Sequence, residues 1–204
     1  MTQFIRRTAM TALVCLVPSF TSALATATQA APTLYTLNEG GSSVGFSFIL
    51  GGGAQKGIMP VQSAKIIIDP ENLAASQVDV SVRVAGARTG LIFATQALIG
   101  PDVLNAAKYP TIRFVSRKVK LATDGHLSGG AHITGHLTLR GITRLVTLQA
   151  NLYRQRGTAA DDLDNLTVQL TGQISRSAFG AVGYPELVAD MVGLDITALI
   201  STNP

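Results

Sequence analysis

Tryptophan is absent from this 204-residue chain, Cys15 is its single cysteine, aromatic residues make up 5% and charged residues 14%. Each scarcity excludes something. Without tryptophan and with so few aromatic rings, the girdles that hold an outer-membrane barrel at the two interfaces cannot be built. Few charges beside 47% hydrophobic residues point to a buried core rather than to disorder. Cys15 itself lies in a stretch with the marks of a secretory signal: Arg6 and Arg7, a short apolar run Met10–Phe20, then the small residues of SALATATQA. Residues 1–25 are therefore read as a signal peptide, with cleavage as late as 30, leaving one domain over 31–204 in the periplasm or outside the cell. That domain holds no cysteine, which excludes disulfides, thiol catalysis and cysteine-ligated zinc. The apolar run is too short for a membrane span, and Val14 is too bulky to precede a lipidated cysteine.

Removing Arg6 and Arg7 leaves fourteen basic against twelve acidic residues, a net charge of about +2. The densest basic stretch, RFVSRKVK (Arg113–Lys120), has no accompanying aromatic platform, so it reads as the solvated side of a strand and not as a nucleic-acid surface.

What the chain does have is period-two alternation. In QVDVSVRVAG, Val78, Val80, Val82 and Val84 face one way and Asp79, Ser81 and Arg83 the other. SVGFSFIL, RLVTLQANLY and LTVQLTGQIS repeat the pattern, and further strands are predicted at Leu34–Leu37, Pro60–Ile68, Thr111–Leu121, Ala131–Arg140 and Val188–Ile200. RGIT reads as a tight turn, RGTAADDLDN as a polar loop, and GGGAQKG as a flexible segment or a place of close backbone approach. One region breaks the rhythm. Leu91, Ile92, Thr95, Leu98 and Ile99 recur at helical spacing, and Pro101 suits the first turn of a second short helix. About nine strands with one apolar face each must be closed into a barrel or stacked as a sandwich, and alternation alone leaves both open.

The chemistry-bearing residues form no recognisable constellation. His132 and His136, four apart on a predicted strand, share a face roughly 13 Å apart and cannot chelate one metal together. His126 falls in a hairpin connection, so no metal and no cofactor are expected. Asp161, Asp162 and Asp164 lack the glycine and terminal glutamate of a calcium loop. Asp190 or Asp195 is placed to form a structural ion pair with Arg176, and no nucleophile elbow surrounds Ser175 and Ser177.

Four segments in order, AAKYPTIRFVS (Ala106–Ser116), ITGHLTLRGITRLVTL (Ile133–Leu148), ISRSAFG (Ile174–Gly180) and VADMVGLDI (Val188–Ile196), together with RTG (Arg88–Gly90) upstream, resemble the YceI-like family of exported lipid-binding proteins. The resemblance covers nearly all of residues 31–204. It departs at Gly41-Ser42 and ILGGG, where the family carries histidines, and at TGLIFATQALIG, where it often carries a polar pair.

The resemblance implies an all-β fold: a lipocalin-like elongated antiparallel β-barrel of about eight strands with one or two short helices, enclosing an apolar tunnel. The expected tunnel wall comprises Phe46, Phe48, Val80, Val82, Phe114, Leu148 and Leu170 on strands. Leu91, Phe93, Leu98 and Leu104 are expected in a plug or lid, and Phe179 at one end. Arg88 and Arg176 are the candidates for an anionic head group. The expected function is carriage or sequestration of a long-chain amphiphilic lipid of isoprenoid, quinone or fatty-acyl type, with no catalytic residue and no enzyme activity. Peripheral membrane contact and a homodimer are compatible with this. Two alternatives stay open: a lipid-modifying enzyme using the same tunnel, and an envelope interaction module whose core is dry.

Overall fold

A computed structural model describes residues 32–69, 72–121, 130–155, 157–159 and 162–202; the proposed signal segment, His126 and Asp161 lie outside the described residues. Eleven strands form one antiparallel sheet closed by pairing of its first and last long members. Three pairs of strands are halves of single bent ones. β1 (Thr33–Leu37) and β2 (Ser43–Leu50) are separated by a 3-10 turn at Glu39–Gly41. β3 (Gly53–Met59) and β4 (Val61–Ile68) bend at Pro60, and β5 (Gln77–Arg83) reaches β6 (Arg88–Thr89) through a 3-10 turn at Val84–Gly86. Then follow β7 (Thr111–Leu121), β8 (Ala131–Leu139), β9 (Ile142–Arg154), β10 (Asn165–Ser175) and β11 (Met191–Ser201). Because β1 pairs with β4 and β11 while β2 pairs with β3 and β11, each bent strand acts as one stave, and the staves number eight. The barrel is thus the closed alternative; no sandwich forms.

Alternation drives this closure, since every stave has one apolar side that only closure can bury. One register break shows how the pattern is kept. At the β7–β8 ladder the pairing shifts between Ser116 and Lys118. The extra residue at this bulge changes parity, so Ile112 and Phe114 point inward before it and Val119 and Leu121 after it. Arg113, Arg117, Lys118 and Lys120 are left exposed outside. Arg113 there makes a bidentate pair with Asp79, Nε to Oδ1 at 2.8 Å and Nη2 to Oδ2 at 2.5 Å.

Two hairpins turn in two residues with positive φ at both, the geometry that matches strand twist. Gly51 and Gly52 (φ 56° and 83°) join β2 to β3, and Arg140 and Gly141 (φ 50° and 74°) join β8 to β9. Arg140 accepts the left-handed conformation while its Nη1 donates to the carbonyls of Pro101 (2.9 Å) and Val103 (2.5 Å), tying the turn to the segment before β7.

One α-helix, α1 (Ile92–Ile99), occurs among the described residues. It starts where predicted, but Pro101 opens hydrogen-bonded turns and no second helix. The helix face is also corrected. Ala94 is the buried residue and Ile92 is 81% exposed, because Thr95 is held against β6 by Thr89. A helix apolar on all sides carries no periodic signal from which its inner face could be read. β3 and β6 are strands the alternation did not show: the middle of β3 is Gln55, Lys56 and Gly57, and β6 has two residues.

Candidate functional site

Two packed clusters bracket the barrel interior. At the far end Tyr35, Ile66, Ile68, Leu166 and Ile200 close it, and the Tyr35 hydroxyl donates to the Leu163 carbonyl at 2.7 Å. Burial pushes that phenol's pKa up, with Asp164 and Asp162 nearby adding to the shift. At the helix end Val84, Leu104, Leu137, Leu139, Ile174 and Phe179 pack beneath one side of the opening. Between the clusters lies a cavity of about 600 Å³, whose wall draws residues from all eight staves. Its lining is aliphatic and aromatic; Arg176, Tyr184, Asn151, Ser42, Ser76 and Thr197 are the side chains with polar heads. Ser42 donates to the Asn38 carbonyl and accepts from the Leu199 amide, and Ser76 accepts from the Asp69 amide, so both hydroxyls serve the backbone.

The bore stays open because large inward rings are laid against glycines. Phe46 sits over Gly57 on the neighbouring stave, where a Cβ would overlap the ring, and Phe114 lies over Gly135, with Cζ 2.5 Å from where a Cβ would stand. Phe46 and Phe48 stack along one wall, centroids 6.0 Å apart at 22°. Residues chosen from the sequence as wall are on it: Phe46, Phe48, Val80, Val82, Phe114, Leu148 and Leu170, with Phe93, Leu98 and Leu104 from the irregular segment.

Four choices need correction. Leu91 is half-buried at the start of α1 and does not touch the cavity. Phe179 is buried in the cluster beneath the opening and is a core anchor. Arg88 is exposed on β6, opposite Ile58, outside the cavity. Arg176 borders the cavity but is 8% exposed and committed to four backbone carbonyls. Nε donates to Ala189 (3.1 Å), Nη1 to Ala181 (2.5 Å) and Gly183 (2.8 Å), and Nη2 to Val188 (2.8 Å). The expected ion pair with Asp190 or Asp195 is not made; among the described residues the salt bridge is Arg113–Asp79. His132 and His136 alternate on β8 with the inward Ile133 and Leu137, and so stand on the outer face. Asp162 accepts from the amides of Asp164 and Asn165, which makes it a turn residue.

The segment 181–189 forms one lip of the opening and was not read from the sequence as part of the site. Ala181, Gly183, Tyr184, Leu187 and Val188 from it line the cavity. Beyond Arg176, it is fixed by Gly183 N to Asp102 O (3.0 Å), Gly51 N to Leu187 O (2.8 Å) and Ala189 N to Ile49 O (3.1 Å). Asp190 anchors its end. The hydroxyls of Ser175 and Ser177 and the Ser177 amide (2.9 Å) hold its carboxyl down to about 2. A lowered folded-state pKa gives stabilisation that is complete above the ordinary 3.8 and is lost as pH falls towards 2. Carboxyl-carbon NMR titration of Asp190 should therefore find a midpoint near 2, moving up towards 3.8 when Ser175 and Ser177 are both replaced by alanine. A midpoint already at 3.8 in the parent would contradict these bonds.

The same architecture recurs in known proteins. Residues 35–200 match the YceI-like domain. Protein YceI of Escherichia coli is 39% identical over 87 residues, 43% of this chain and 43% of that protein, so the aligned part spans less than half of that curated relative. A UPF0312 protein of Pseudomonas aeruginosa is 33% identical over 137 residues, 66% of this chain and 69% of its own length. Among solved structures, BcnA of Burkholderia cenocepacia has a TM-score of 0.70 at 24% identity, covering 80% of this chain and 99% of that one. A polyisoprenoid binding domain from Saccharophagus degradans has a TM-score of 0.60 at 14% identity, covering 83% and 98%. At these identities the two structures speak for the fold. The family match and the Pseudomonas relative go further: this chain belongs to the YceI-like domain family.

Proposed function

We propose that this protein is an exported carrier or sequestering protein that holds one long-chain amphiphilic lipid, of isoprenoid, quinone or fatty-acyl type, in its bore without acting on it chemically. The observation that carries this reading is the apolar cavity of about 600 Å³ walled by all eight staves. An apolar cavity of ~150 Å³ holds a benzene, so four times that volume suits on the order of twenty carbons. At ~0.8 kcal/mol per buried methylene such a chain gains ~16 kcal/mol gross, against an association cost of ~4–15 kcal/mol. The described lining holds no carboxylate, histidine or thiol to act as acid, base or nucleophile, which favours holding over turnover. A relative in fold is named for binding polyisoprenoid, and the N-terminal Arg6-Arg7 and apolar run support export.

The test is solvent extraction of the purified protein followed by mass spectrometry. One long-chain amphiphile in near-stoichiometric amount is expected. Protein that arrives without lipid and then takes up no isoprenoid alcohol, quinone or fatty acid would overturn the reading.

A further inference from the structure

Large apolar side chains stand in water together at one end of the barrel. Ile92 is 81% exposed, Phe93 63% and Val182 59%, with Tyr184 and Leu187 about half exposed. They come from the start of α1 and from the lip 181–189, which backbone hydrogen bonds fix to Asp102 in the turn after α1 and to the β2–β3 hairpin. These are therefore held projections. Phe93, Tyr184 and Leu187 also line the cavity, so apolar surface runs without a break from the bore to the outside. Apolar surface of this kind on a soluble face marks an interaction site.

Charge says what covers it. Around this end lie Lys56, Arg83, Arg88, Lys108, Arg140 and Arg144, against Asp102, Glu186, Asp190 and Asp195, a net positive balance. A second copy meeting this face through a two-fold axis would bring two net-positive faces together. An anionic bilayer offers both a negative surface and an apolar interior to the same face.

We propose that the helix end is a membrane-docking face, on which Ile92, Phe93, Val182 and Leu187 insert among anionic lipids and seat the bore's mouth on the bilayer. Its purpose rests on the carrier reading, but its test does not. Ile92 and Val182 do not line the cavity, so Ile92→Glu with Val182→Glu leaves the bore's wall unchanged, and a glutamate at the first residue of α1 agrees with the helix dipole.

The experiment is sedimentation of the purified protein with phosphatidylcholine vesicles, with and without phosphatidylglycerol, alongside the lipid extraction described above. The parent is expected to sediment with the anionic vesicles, roughly tenfold or more better than with the zwitterionic ones, and less so in high salt. The double variant should partition roughly a hundredfold less while keeping whatever lipid the parent carries. Leu34→Glu, an equally apolar change at a 59% exposed site on β1 at the far end, should bind as the parent does. The docking proposal is overturned if the parent ignores anionic vesicles at low salt, or if the double variant sediments as well as the parent. It is equally overturned if the variant alters only the oligomeric state. Protein that docks but carries no lipid supports the docking face and removes the carrier reading.

Discussion

Replacing Arg176 by methionine is expected to destabilise the protein by ~3 kcal/mol, lowering Tm by on the order of 10 °C for a domain of this size. The guanidinium is 8% exposed and donates to the carbonyls of Ala181, Gly183, Val188 and Ala189. Methionine matches much of its length and removes the cost of burying a charge, which offsets part of the loss. It leaves four carbonyls of the lip without their donors, and an unsatisfied buried acceptor costs ~1–3 kcal/mol if water cannot reach it. Lysine keeps the charge but not the planar fork, so Arg176→Lys should recover less than half of the effect. Hydrogen exchange should localise the damage. The amides of Gly51, Gly183 and Ala189, which join the lip to its neighbours, should lose protection while those of β8 and β9 do not. A loss below ~0.5 kcal/mol, within the range of an ordinary surface change, would mean that the lip is held by its backbone bonds alone.

Arg176 also marks how far the sequence could be read. Strand positions were legible because closing a barrel demands an inward apolar residue at every second place; Ser43–Leu50 shows that pattern to its last residue, and Thr111–Leu121 shows it on each side of its bulge. β3 was not legible, since Gly57 stands where an inward side chain would and the Phe46 ring occupies its space. No local signal distinguishes a phenylalanine that lines a bore from one that anchors a turn, which is why Phe179 and Leu91 were misplaced while Phe46 and Phe114 were not. The partners of Arg176 are carbonyls, which every residue carries, so composition offers carboxylates such as Asp190 as its partners and the structure chooses otherwise. The lip 181–189 owes its place in the site to three tertiary backbone bonds, and backbone bonds leave no trace in side-chain pattern.

Val80→Phe combined with Leu170→Phe should abolish tight lipid binding and leave the empty protein at least as stable as the parent. β5 and β10 are four staves apart in a ring of eight, so these inward residues face each other across the bore. Two added rings take room otherwise occupied by about four methylenes, at ~0.8 kcal/mol each. The lost ~3 kcal/mol corresponds to more than a hundredfold in Kd, measured by competition with a fluorescent fatty acid. Stability decides between an open bore and a dry core. In a filled core, two enlarged side chains force strained rotamers and cost ~1–3 kcal/mol. In an open bore they meet vacant space and gain contacts that the cavity lining lacks. Urea denaturation of delipidated parent and variant reads this difference directly. A variant that is clearly less stable than the empty parent, yet binds the probe equally well, would show that the middle of the barrel is packed and that lipid is held elsewhere. A variant of equal or greater stability with binding lost would show that the open bore holds the chain.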